Sequence, residues 1–329
     1  MPMIRAVLLL ILLLGIGASG ALAQGLGTTD PLTLVVTPLY PRPYQTVSIA
    51  PRSTLVDLSA STVRVSVNGT NVYEGSGTQP TNVRAGALGE RTTVVVTVTD
   101  PNGRVYTETQ VLRPAEVSLI IEPVSTTHPF YQGGGLVASE GRVRIVAVAD
   151  LRTAPGARLA NGNLVYTWRV GDRILTDSSG IGRTSLVATA PVRYRNAEIS
   201  VTVTSPDSAL VGEARTVISP VDPVARIYRN DPLLGPNFDI ALSERFSMPD
   251  TEATFRAVGY FFAVPPTFSW SVNDSVNGTD KDLTVRATGS GQGTARLGVT
   301  ALETESRRSA ESRVTVDFGA STGFGFFGL

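Results

Sequence analysis

Three stretches of the chain carry the same alternation at the same interval. Val63-Arg64-Val65-Ser66-Val67-Asn68-Gly69, Tyr166-Thr167-Trp168-Arg169-Val170-Gly171-Asp172 and Phe268-Ser269-Trp270-Ser271-Val272-Asn273-Asp274 put Val65, Trp168 and Trp270 in register, 103 and 102 residues apart. Apolar side chains recur with period two, which places them on one face of a strand. Each run stops at a Gly, Asn or Asp pair able to take positive φ, the requirement of a tight hairpin. Nothing after the first two dozen residues shows a sustained helical period. The chain is therefore constrained to a β unit repeated three times.

The flanking runs repeat too. Residues 93–103 (TVVVTVTDPNG) and 199–208 (ISVTVTSPDS) both break at a Pro two residues after their last Val-Thr, and 295–306 (ARLGVTALETES) follows the third copy. Closing strands are expected at 104–112, 213–220 and 311–318. In the first unit the runs fall near 32–38, 45–50, 62–68, 71–75, 81–85, 92–99 and 104–112; the second begins at 116–123 and the third at 223–230. About seven short Val/Thr/Ile-rich runs per unit, with turn signals every ~8–12 residues, is the pattern of an immunoglobulin-like sandwich. The expected fold class is all-β, with three tandem immunoglobulin-like (PKD-like) β-sandwich domains after a cleaved signal peptide.

The signal peptide is read from Arg5, the apolar run from Ala6 to Ile16, and small residues at 21–23 before Gln24. That run falls short of the ~20 residues a membrane helix needs. The expected organisation is 1–23 signal peptide, 24–114, 115–221 and 222–318 sandwiches, and a Gly/Phe-rich stretch at 319–329. Pro-containing joints at 113–115 and 219–223 stiffen the connections into a semi-rigid rod.

A Trp in the third strand of such a sandwich points inward and fills the space between the sheets. The chain has no Cys, so no disulfide supplies that bulk. Trp168 and Trp270 are expected to do so, each burying roughly 200 Å². Val65 occupies the place in the first unit. With Val65, Trp168 and Trp270 assigned to the core, stacking of either Trp on a sugar or peptide is the lesser reading.

Two segments break the repeat. Residues 125–141 and 230–250 are long insertions between the first and second strands of the second and third units. Loops beyond ~12–15 residues usually carry function or are held under aromatic cover. The candidate partner-binding residues are His128, Phe130 and Tyr131 in one, and Leu233, Leu234, Phe238 and Phe246 in the other. The competing reading is that these loops cover a sandwich edge or the junction with the preceding unit. Residues 259–270 read as a core strand with a Pro-Pro turn.

Catalytic chemistry is hard to place. Gly319-Ala320-Ser321-Thr322-Gly323 has the form of a nucleophile elbow, but no helix follows and the one His is far away in sequence. With one His and no Cys, a zinc site is not expected. The weak calcium candidate is 273–282, whose carboxylates are Asp274, Asp280 and Asp282. It departs from the EF-hand spacing and contains Lys281, so a solvated turn is preferred. The Asn-x-Ser/Thr triplets at Asn68, Asn273 and Asn277 are taken as turns. No cofactor is expected. Lys and Arg together number 28, as do Asp and Glu, so no nucleic-acid partner is implied.

Residues 164–186 (LVYTWRVGDRILTDSSGIGRTSL), 231–235 (DPLLG) and the aromatic stretch 260–273 resemble a family of secreted proteins of reduced-genome, candidate-phylum bacteria that carry tandem immunoglobulin-like or PKD-like sandwiches. The resemblance covers roughly 115–318. It implies an extracellular or cell-envelope module without catalytic residues. The function expected is non-enzymatic binding or scaffolding at the cell surface, through sandwich edges and the two long loops, with a protein or glycan partner. Membrane contact is expected only through the signal segment, if it is retained. The alternatives are a carbohydrate-binding accessory module, which needs exposed aromatics on one face, and an enzyme, which needs a cleft with convergent carboxylates.

Overall fold

The computed structural model describes residues 30–77, 79–153, 156–289 and 291–319. The expected signal segment, its cleavage before Gln24 and residues 320–329 lie outside the described residues.

The Val, Thr and Ile runs become strands wherever the sequence repeats. The first repeat gives β1 (Thr33–Thr37), β2 (Thr46–Arg52), β3 (Thr62–Val67), β4 (Thr70–Ser76), β5 (Thr81–Arg84), β6 (Thr92–Thr99) and β7 (Val105–Leu112). The second gives β8 (Glu116–Pro123), β9 (Arg142–Asp150), β10 (Val165–Val170), β11 (Arg173–Ile174), β12 (Gly180–Ile181), β13 (Ser185–Thr189), β14 (Ala197–Thr204) and β15 (Val211–Ile218). The third gives β16 (Val224–Asp231), β17 (Gly235–Pro236), β18 (Arg245–Ser247), β19 (Glu252–Tyr260), β20 (Thr267–Val272), β21 (Ser275–Gly278), β22 (Asp282–Arg286), β23 (Gly293–Glu303) and β24 (Arg308–Phe318).

Among the described residues each repeat forms two sheets. They are β1-β2-β5 with β4-β3-β6-β7, then β13-β9-β8 with β11-β10-β14-β15, then β17-β16-β19-β22 with β18-β24-β23-β20-β21. Placing the first two strands in one sheet and the third with the last two in the other is the immunoglobulin arrangement. The fold is all-β, a multi-domain series of such sandwiches. By contacts the chain divides into two compact units: Met1–Val35, Ile49–Thr81 and Val95–Gln110, and Val36–Ser48, Asn82–Val94 and Val111–Leu329.

In the first unit, Val63 and Val65 of β3 are buried while Arg64 between them is exposed. The β3–β4 hairpin turns at Asn68 (φ 49°) and Gly69 (φ 85°), as the sequence pattern requires.

The second unit holds two separate cores. One surrounds Trp168 with Ile145, Leu164, Leu186 and Val201; the other surrounds Trp270 with Ile227, Phe255, Val299 and Val316. Both indoles have no accessible surface. Each also satisfies its one polar atom: Trp168 Nε1–H donates to the Arg183 carbonyl at 2.9 Å and Trp270 Nε1–H to the Asp280 carbonyl at 2.9 Å. A buried indole without such a partner would be costly, so the matching loop carbonyls belong to the same repeated design.

The two expected insertions do more than protrude. β16 pairs antiparallel with β19 in one sheet, while β18, beginning 14 positions after β16 ends, pairs in parallel with β24 in the other. In the preceding sandwich, Ala138 bridges Val221 in parallel, and Val221 N–H donates to the Val137 carbonyl at 2.9 Å. The later segment thus carries the chain from the first sheet across to the closing strand of the second, and the earlier one reaches the joint three residues beyond closing strand β15. Among the described residues no helix is long and apolar enough to cross a membrane.

Candidate functional site

The loop after β8 is held at its neck, where Val124 N–H donates to the Arg142 carbonyl at 3.0 Å. Beyond that it is bound to the turn between β19 and β20. Thr126 N–H donates to the Phe262 carbonyl at 2.9 Å, and Phe261 N–H donates to the Thr126 carbonyl at 2.8 Å. Phe262 N–H donates to Thr126 Oγ1 at 3.1 Å. Further along, Arg308 at the start of β24 donates to the Ser139 carbonyl and to Glu140 Oε2. Glu303, buried at the end of β23, accepts from Ala263 N–H at 3.2 Å. Phe261 sits at φ 59°. A large side chain in that region costs about 1–3 kcal/mol and persists only where the surroundings enforce it.

These bonds bring the loop's aromatic residues onto the outer face of β16 and β19. His128 stacks on Phe238, centroids 4.4 Å apart and planes 9° from parallel. Tyr131 and Tyr260 meet His128 edge-on at 5.7 and 5.8 Å. Phe130 N–H donates to His128 Nδ1 at 3.2 Å. Tyr228 and Tyr260 share a hydrogen bond between their hydroxyls at 2.7 Å, with 6% and 5% of their surfaces exposed. Burial, then the bond to Tyr228, pushes the Tyr260 phenol well above the usual tyrosine range. The Tyr131 ring lies over Gly133, where a Cβ would meet it at 2.7 Å, so a side chain at 133 would displace the ring.

The cluster forms the wall of a cleft of about 560 Å³, whose polar groups include Arg226, Gln132 and Asp239. A second cleft of about 460 Å³ shares Phe130, Phe238 and Asp239 with it and extends to Leu234 and Pro236. At its far end a tight turn presents two leucines to solvent. Asp231 Oδ1 accepts from Leu233 N–H at 2.9 Å and Leu234 N–H at 3.1 Å, and Gly235 closes the turn at φ 81°. Those backbone bonds hold the Asp231 carboxyl below the usual range. Leu233, Leu234 and Phe130 are 94%, 89% and 77% exposed. The arrangement offers apolar side chains around aromatic walls with a few polar groups, which suits binding.

Of the sequence candidates, the structure gathers His128, Phe130, Tyr131, Phe238 and Leu234, with Leu233 beside them. Phe246 is placed elsewhere: it lies on β18 and packs edge-on against Phe255, 5.5 Å away, at the Trp270 core. It belongs to the crossing strand and not to the loop surface. The calcium candidates are not gathered. Asp274 pairs with Arg296 at 3.2 Å, Asp282 accepts from Arg256 Nη2 at 2.7 Å, and the Asp280 carbonyl serves Trp270. Among the described residues no group of three or more His, Asp or Glu could hold a metal ion.

Sequence reasoning missed Arg226, Tyr228, Tyr260 and Phe261. Tyr228 occupies an outward position of β16, opposite in face to buried Ala225 and Ile227. An aromatic at a position the alternation assigns to solvent is the signal that something covers that face.

No family model matches the chain, and no curated protein matches it. It is similar to the solved three N-terminal domains of the bacteriophage RB49 Highly Immunogenic Outer Capsid protein, at 14% identity, covering 87% of this chain and 98% of that one, TM-score 0.24. It is similar to the central fibronectin-III array of RIM-binding protein, at 9% identity over 87% and 95%, TM-score 0.27. It is also similar to the Bacteroides ovatus glucan-utilisation protein SGBP-B, solved with a mixed-linkage heptasaccharide, at 13% identity over 88% and 71%, TM-score 0.21. None of these likenesses carries a ligand or a role over to this chain.

Proposed function

We propose that the protein is a non-enzymatic binding or scaffolding module of the cell exterior or envelope, built of sandwiches at 24–114, 115–221 and 222–318, and that it takes its partner at the His128–Phe238 cleft. The observation that supports this is the convergence of the two loops that leave the repeat. Their aromatic residues meet face to face, and they leave Phe130 and Leu234 uncovered along the adjoining clefts, with Leu233 exposed beside them. Contiguous exposed apolar side chains on a soluble domain mark a place where something binds. The leucines favour a protein partner, since an exposed aliphatic side chain gains from burial against an apolar surface and offers a sugar neither a stacking face nor a hydrogen bond. A glycan is the second reading. It draws on Tyr131 and Phe238 as stacking faces beside Arg226, Gln132 and Asp239 as hydrogen-bonding groups.

The test is retention of the purified chain on washed envelopes of the source cells. The Phe130→Ser/Leu233→Ser/Leu234→Ser variant, altered only at exposed positions, is expected to be retained at least tenfold less than the parent. Equal retention of the two would refute the cleft as the partner site. Competition by free oligosaccharides, with the triple variant still retained, would move the reading to a glycan.

A further inference from the structure

The second and third sandwiches treat one sheet edge differently. In the second, Arg183 supplies the carbonyl that serves the buried Trp168, and the next carbonyl, of Thr184, accepts from Ala147 N–H of β9 at 2.8 Å. Asp280 and Lys281 repeat the arrangement at Trp270, and the Lys281 carbonyl accepts from Ala257 N–H of β19 at 2.8 Å. Ala147 and Ala257 are therefore equivalent. So are Ala149 and Gly259, each two positions further along its strand and facing the same edge, because N–H and C=O groups alternate sides along a strand. The Ala149 carbonyl accepts from Arg158 Nη2–H at 3.0 Å.

Gly259 has no such cover. The chain before β22 is held by β20 in the other sheet through β21, so β22 begins only at Asp282 and pairs with Glu252–Arg256. Phe261, the next residue to face this edge, is bonded to Thr126. Between these two attachments Gly259 is buried, and among the described residues nothing pairs with its edge-facing N–H and C=O. Such a buried backbone pair is rare. From Ala257 to Phe261 the edge runs about 13 Å, room for about three residues of another chain between Lys281 and Thr126. The edge opens into a further cleft of about 490 Å³, where Gly259 stands with Thr127, Pro129, Pro265, Pro266 and Lys281. The prolines have no N–H to offer. No Asp or Glu lines the cleft. Arg256 is taken up by Asp282, and among the described residues no carboxylate pairs with Lys281, which is exposed and is the chain's one lysine.

We propose that this gap in the β19 edge takes a short extended stretch of a partner's peptide chain, a small residue flanked by acidic ones, which pairs through its main chain with Gly259 and sets its carboxylates beside Lys281. A residue of an added strand offers one acceptor and one donor at the spacing Gly259 presents. Its side chain stands on the same face as position 259. Pro266 lies so close over that face that a Cβ on Gly259 would meet its Cγ at 2.6 Å, which selects a small residue there. The acidic flanks follow from Lys281 in a cleft without carboxylates. Neither Phe130 nor the two leucines line this gap, so it does not rest on the cleft they border.

The experiment is an NMR titration of the isotope-labelled full-length protein with blocked tripeptides: acetyl-Glu-Gly-Glu-amide, its Gln-Gly-Gln counterpart, and Glu-sarcosine-Glu, whose central N-methyl group removes the N–H that the Gly259 carbonyl accepts. The Gly259 amide is expected to shift saturably with the first peptide at millimolar concentration. The Gln peptide, the sarcosine peptide and the Lys281→Glu variant are each expected to show binding about fivefold weaker, the effect of one lost hydrogen bond or ion pair. Lys281 is exposed and bonds Ala257 through its backbone, so the substitution keeps the fold. An unmoved Gly259 amide, or equal binding of the sarcosine peptide, would overturn the proposal. So would a shift produced by a neutral oligosaccharide mixture and not by the peptide, which would give the gap to a glycan. The Phe130→Ser/Leu233→Ser/Leu234→Ser variant keeps every residue of the gap and is expected to bind the tripeptide as the parent does, so failure of the partner cleft and failure of the gap are read separately.

Discussion

The Tyr228–Tyr260 pair offers the sharpest energetic test of how the loop covers its sandwich. Both side chains are almost wholly buried, and their hydroxyls bond to each other at 2.7 Å. Tyr260→Phe removes one partner and strands the Tyr228 hydroxyl out of water. The loss combines a neutral hydrogen bond with the desolvation of an orphaned group, about 1–3 kcal/mol. Tyr228→Phe is expected to cost the same for the mirror reason. Replacing both leaves no polar group behind, so the double variant is expected within about 1 kcal/mol of the parent. The coupling between the sites is then roughly the sum of the two single costs, about 2–6 kcal/mol, far from additive. Hydrogen exchange at the β16 and β19 amides reads the opening free energy of this sandwich separately from the others. Single variants that cost less than about 0.3 kcal/mol, or effects that simply add, would refute the buried pair.

Alkaline stability follows from the same residue. The phenol of Tyr260 is raised in the fold, so the unfolded chain loses that proton first, at about pH 10. Its contribution is whole below that value and is lost as pH rises beyond it, so urea midpoints should fall more steeply above pH 10 in the parent than in Tyr260→Phe. Trp168→Ala and Trp270→Ala are each expected to cost about 3–5 kcal/mol in urea unfolding, because each empties a fully buried site and strands a loop carbonyl. Millimolar calcium is expected to leave the thermal midpoint unchanged, since the carboxylates of Asp274 and Asp282 already face arginines; a rise of several degrees would show that 273–282 binds the ion.

The strands, the inward Trp residues and the hairpin turns were legible because each is a local pattern. Alternation and a φ-permissive turn are written within a dozen residues, and β8 runs over 116–123 as the sequence indicates. Phe246 was misread because β18 has only three residues, too few to show a period, and its partner β24 lies about 70 positions away. The cleft was half legible. Loop length and aromatic content singled out His128 and Phe238, but nothing in the sequence says that two loops of successive repeats meet. That follows from the backbone bonds of Thr126 to Phe261 and Phe262, which carry no side-chain signature beyond one threonine hydroxyl. Arg226 and Tyr228 were hidden for a related reason: alternation assigns their face to solvent, and only the fold shows that a neighbouring loop lies over it.

The central claim is that the two departing loops converge at His128 and Phe238. The chain has no native cysteine, so a His128→Cys/Phe238→Cys pair is the only thiol pair in the molecule. Treating the folded protein with a short bis-maleimide and digesting it should give, in near-quantitative yield, one cross-linked peptide joining the loop after β8 to the segment after β17. Each single variant should give none. If the double variant carries two singly modified thiols and no cross-link, the loops do not meet, and the cleft as described does not exist.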